Sequence, residues 1–160
     1  MPAPSSTATT ATTRSCPAAA LTAGVSGSSG AAGTIETTVT LRNISSTTCV
    51  LGGYPGAQML DAQGTQIPTT VVRGGSYPFT DLPSSIVILA PGGPAYFNIG
   101  FSDVPSGSQT TCPRASALIV TPPNAYDHLT LAVDFAACDN GTLTVSPVFA
   151  PGSAATQTTA

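Results

Sequence analysis

A chain of 160 residues suffices for one domain that hides roughly two-thirds of its unfolded surface. Charged residues make up 7% of it, against about 25% in an ordinary globular protein, and lysine is absent. Four separated arginines and a net charge of -3 form no basic stripe, which excludes nucleic acid and an anionic membrane surface as partners.

Residues 1–15 are Ser, Thr, Ala and Pro with almost nothing apolar to bury, and residues 151–160 repeat that composition. Both ends are expected to be disordered linkers around a folded domain at 16–150. Met1 is followed by Pro, Ser and Thr rather than by a basic and then an apolar region. The expectation is therefore an export signal or anchor lying outside this sequence. No run approaches the roughly 18 apolar residues of a membrane-spanning helix; Ile86-Val87-Ile88-Leu89-Ala90 has strand length.

Within the domain, Val25 to Gly33 is rich in Gly, Ser and Ala and reads as a loop. Thr34 to Asn43 then alternates. Ile35, Thr37, Val39 and Leu41 fall on one face and Glu36, Thr38, Thr40 and Arg42 on the other, as in a strand with one wet face. Gly52-Gly53 and Pro55-Gly56 turn the chain hard around Tyr54. Ala57 to Leu60 is a short strand, Asp61 to Gly64 a turn, and Gln66 to Val72 a hairpin partner that Pro68 confines to an edge. Arg73 to Pro83 is a long loop carrying Tyr77. Ser85 to Leu89 reads as a strand buried on both faces or as a core run whose type the pattern leaves open. Ala95 to Ser102 alternates with Phe97, Ile99 and Phe101 inward, and Asp103 to Pro113 is a loop. Leu118 to Val120 is a short strand stopped by Pro122-Pro123. Leu129, Leu131, Val133 and Phe135 alternate again, and Asp139-Asn140-Gly141 reads as a hairpin turn into Leu143 and Val145. No stretch reads as a helix. The fold class is an all-β, antiparallel sandwich of immunoglobulin-like type with about seven or eight strands.

The cysteines, at 16, 49, 112 and 138, are widely spaced, without the close pairs of zinc or redox sites. Two structural disulfides in an oxidising compartment are the favoured reading, over free buried thiols or metal ligation. Of the three pairings, Cys16–Cys49 and Cys112–Cys138 are favoured because each closes a modest loop.

For chemistry, His128 is the only histidine, and its neighbour Asp127 would point to the other face of a strand. No Gly-x-Ser-x-Gly elbow, phosphate loop ending in Gly-Lys or clustered ligand spacing occurs. No catalytic residue, metal or cofactor is assigned. The acids mostly fall at expected turns, with Asp134 on a wet strand face. Tyr54, Tyr77 and Tyr126 lie by prolines in loops, where a sandwich displays binding groups, and are the speculative binding residues; the favoured reading is that Tyr54 packs into its own corner and the others cap the core ends. Asn43-Ile44-Ser45 and Asn140-Gly141-Thr142 match the glycosylation sequon at natural turn sites.

Several of these pieces occur together elsewhere. Cys16-Pro17, Leu41-Arg42-Asn43, Cys49-Val50-Leu51-Gly52-Gly53-Tyr54-Pro55-Gly56, Pro91-Gly92-Gly93-Pro94-Ala95-Tyr96-Phe97, Cys112-Pro113, Cys138 and Val145-Ser146-Pro147-Val148 span nearly the whole folded part. In them the chain resembles a family of exported actinobacterial domains of unknown function. That resemblance implies a secreted or lipid-anchored β-sandwich with paired cysteines, and no catalytic residues. The functional expectation is an extracytoplasmic, non-catalytic cell-envelope module that binds an unknown protein or cell-wall glycan, or serves as a spacer. It would touch the membrane only through an N-terminal anchor. The alternative is a small secreted hydrolase built around His128.

Overall fold

The computed structural model describes residues 14–31, 33–73, 83–105, 107 and 110–151. Ten strands run in chain order: β1 Leu21–Ala31, β2 Thr34–Asn43, β3 Cys49–Gly52, β4 Gly56–Leu60, β5 Thr70–Arg73, β6 Ile86–Leu89, β7 Pro94–Ser102, β8 Arg114–Thr121, β9 Leu129–Ala136 and β10 Thr142–Val145. They form a five-stranded sheet β1-β2-β7-β10-β5, a two-stranded sheet β3-β6 and a three-stranded sheet β4-β8-β9. The fold is nearly all β and mostly antiparallel, with two disulfides, Cys16–Cys49 and Cys112–Cys138. That is also the pairing favoured on loop length. Among the described residues no helix is long and apolar enough to cross a membrane.

Alternation builds the core. In β2 and β7, Val39 pairs with Phe97 and Leu41 with Ala95, so these side chains share one face, and all four are fully buried. Leu118, Val120 and Leu131 face them from β8 and β9, and Leu51, Val87 and Leu89 close the core from β3 and β6. Phe97, Leu41, Leu51, Leu89 and Ile99 are among the largest fully buried side chains; each contributes about 1.5–3 kcal/mol by leaving water.

Asn43 joins these layers. It is fully buried at the end of β2. Its Nδ2 donates to the carbonyls of Thr47 (2.9 Å) and Leu89 (3.0 Å). Its Oδ1 accepts from the Ser45 backbone N–H (2.9 Å) and hydroxyl (2.7 Å). All four hydrogen-bonding positions of the amide are therefore used. Its backbone exchanges two more bonds with the turn Gly92-Gly93. The sequon at Asn43 therefore presents no free amide; Asn140, at the second sequon, is exposed.

Five expectations need correction. The Gly/Ser-rich stretch from Val25 is no loop. It is most of β1, held by its ladder to β2 with a bulge between Val25 and Gly27. β6 is not buried on both faces. Val87 and Leu89 point inward, whereas Ile86 and Ile88 are 68% and 71% exposed. The hairpin after β4 ends almost at once. Asp61 N–H donates to Thr65 O and Ile67 N–H to Met59 O, then Pro68 cannot donate, and the chain crosses to pair β5 in parallel with β10. Asp139, Asn140 and Gly141 do take positive φ, but their turn carries the chain from the three-stranded sheet to the five-stranded one rather than closing a hairpin. Among the described residues the strands number ten, because β1 reads as a loop and β3, Cys49–Gly52, as part of a turning corner.

Candidate functional site

The core-facing side of β1 tapers along its length. Register with β2 places Leu21, Ala23 and Val25 inward, and beyond the bulge Ser28 and Gly30. Leu21 is buried, but Val25 is 46% exposed and Ser28 lies open. A Cβ at Gly30 would meet Ile35 Cδ1 at 2.6 Å, so any larger residue there must displace the end of that side chain. Small residues on one wall leave the opposite wall uncovered. At this end Ile35, Val133 and Phe135 are only partly buried, although each continues the inward row of its strand.

The result is a cleft of about 630 Å³ between β1, β2 and β7 on one side and β9 on the other. That size falls within the roughly 300–1,000 Å³ of small-molecule sites. Val25, Ile35, Val133 and the stacked pair Phe101–Phe135 form its apolar surface, the ring centroids 4.5 Å apart. Cys112 and Cys138 lie at one end, so their disulfide ties the loop after β7 to the end of β9. Ser28 and Thr37 add hydroxyls 3.1 Å apart. At the rim Arg114 donates from Nη2 (2.7 Å) and Nε (2.8 Å) to the same carboxylate oxygen of Asp134. Both side chains are well exposed, so this pair contributes less than about 1 kcal/mol. Asp103 also lines the rim. The arrangement can remove water from an apolar group while offering charged and hydroxyl contacts at the mouth.

The tyrosines singled out in the sequence lie elsewhere. Tyr54 is half-buried, packs on the core and carries the Arg73 guanidinium 5.5 Å above its ring centre. Tyr126 stands fully in solvent beside Pro17, Asn124 and Asp127. Among the described residues no ring contact joins the two, and Tyr77 lies outside the described residues. His128 is exposed. Both oxygens of its neighbour Asp127 accept backbone hydrogen bonds, from Ala18 (2.9 Å) and Ala19 (3.2 Å). Those bonds, the Ala18 one foremost, hold the Asp127 carboxyl below its ordinary range. Asp127 thus pins the short 3-10 turn Ala18–Ala20 beside the Cys16–Cys49 disulfide.

The cleft was missed because Ile35, Phe101, Val133 and Phe135 read as core while Val25, Ser28 and Asp103 read as loop and Asp134 as a wet strand face. The signal was on the facing strand, where a Gly/Ser run opposes bulky inward positions.

Comparison with curated proteins and comparison with solved structures both give no match. A family model does match, over residues 16–149, from the first cysteine to Phe149, whose backbone pairs with Tyr96. The chain belongs to the family described as Domain of unknown function (DUF4232).

Proposed function

We propose that this domain is an extracytoplasmic, non-catalytic binding module of the cell envelope, and that the open end of its sandwich receives an apolar ligand. The observation that carries this reading is the unfilled cleft. A chain able to bury Phe97, Leu41 and Leu118 completely instead sets serine and glycine against Phe135 and Ile35. Two disulfides support an oxidising compartment, and from there secretion or a lipid anchor. The immunoglobulin-like comparison and the actinobacterial origin belong to the same proposal. The cleft lining contains no histidine, and its two cysteines are joined to each other, which favours binding over hydrolysis.

The test is a fluorescence titration with the neutral apolar probe N-phenyl-1-naphthylamine, comparing the chain with Ser28→Leu. The leucine fills the gap opposite Phe135 while the fold persists. Saturable binding that this substitution weakens at least about tenfold supports the reading, since filling a pocket removes the apolar contacts a ligand needs. Binding unchanged by Ser28→Leu, or none, overturns it. Appearance of the full-length product inside the cytoplasm alone would overturn the compartment.

A further inference from the structure

We infer that the cleft selects a small cationic amphiphile, an apolar body carrying an amine or quaternary ammonium head. This rests on the binding reading above and adds to it the sign of the ligand's charge. The rim carries two carboxylates and one guanidinium. The guanidinium is already committed, because Arg114 places two of its nitrogens on Asp134. Among the described residues the Asp103 carboxylate has no hydrogen-bond or ion-pair partner. Only its backbone N–H is engaged, to Gly33 O. One negative charge is left over at the mouth of an apolar cleft. The aromatic surface points the same way. Phe135 is partly buried and stacked on Phe101, and an aromatic face attracts a cation that is already losing water. An anionic head would meet the unpaired Asp103 and a chain of net charge -3, whereas a cationic head meets complementary charge.

The experiment displaces N-phenyl-1-naphthylamine from the full, oxidised chain with decylammonium or decanoate below their micellar concentrations. One unit charge a few ångströms from another in water is worth about a factor of five to ten in binding. Decylammonium is therefore expected to displace the probe at about tenfold lower concentration than decanoate. Asp103→Asn should remove most of that preference. Asp61→Asn makes the same change in net charge at the turn after β4, away from the cleft, and should leave the preference intact. Equal displacement by the two amphiphiles overturns the charge inference and leaves the cleft standing. So does an equal loss of preference in both variants. Absence of probe binding overturns the cleft itself.

Discussion

Replacing Asn43 with alanine tests how the layers are held together. The substitution removes four side-chain hydrogen bonds at a fully buried position. The losses are unequal. Ser45 and Thr47 sit near solvent and regain water, for a loss of about 1 kcal/mol between them. The Leu89 carbonyl is buried and loses a donor that water cannot replace, for about 1–3 kcal/mol. The expected total is about 3 kcal/mol, or on the order of 10 °C in midpoint for a domain of this size. Asn43→Asp should cost at least as much, because it turns a carboxylate oxygen toward two carbonyls. Urea and thermal unfolding followed by circular dichroism, with the disulfides kept oxidised, give both values. A loss below about 1 kcal/mol in Asn43→Ala would refute the assignment of this side chain as the joint between the end of β2, the loop after it and β6.

Removing either disulfide as a Cys-to-Ser pair should cost about 3–4 kcal/mol, from sequence separations of 33 and 26; equal unfolding midpoints in oxidised and reduced chain would contradict this. Gly141→Ala should lose well over 2 kcal/mol, since φ is +76° and a Cβ there would overlap the Pro68 carbonyl oxygen at 2.1 Å. Gly64→Ala, with φ +80° but open space, should lose only about 1 kcal/mol, and similar urea midpoints for the two would show that the contact does not matter. Asp127 titrates lower in the folded chain because Ala18 and Ala19 donate to it, so its stabilisation is present above its unfolded pKa, roughly 4. That contribution fades as pH falls through the lower folded value. Asp127→Asn should flatten this part of the acid limb in urea midpoints measured from pH 2 to 7, and an unchanged limb would remove Asp127 from the account.

Much of this fold is readable in one dimension where a strand has a single core face. Thr34–Asn43, Pro94–Ser102 and Leu129–Ala136 alternate in sequence because every second side chain meets the opposite layer, although in β2 and β7 the face expected to be wet is also buried where Thr38 donates to Asn98 (2.6 Å). β1 escapes that test. Its inward row shrinks from Leu21 to Gly30 and slips phase at the bulge, so its strand character comes from backbone pairing with β2 rather than from side chains. β6 defeats it in the opposite direction. Four consecutive apolar residues look the same whether a strand is enclosed or has one face open, and here Ile86 and Ile88 are open. The cleft depends on the distance between two sheets, a quantity no local pattern encodes. Tyr54 settles against the core beneath Arg73, as the favoured reading of its corner has it, because the turn at Gly52-Gly53 folds it back.

The last strand among the described residues is not at the margin of its sheet. β10 lies between β7 and β5 and pairs with both. A ribosome or a translocation pore delivers the chain from its N-terminus, so Thr142–Val145 arrive after every other strand. Until they do, β5 has no partner in that sheet and the large sheet stops at β7. Completion of the large sheet, and the pairing of β5, therefore depend on non-local contacts made by one of the last segments to emerge.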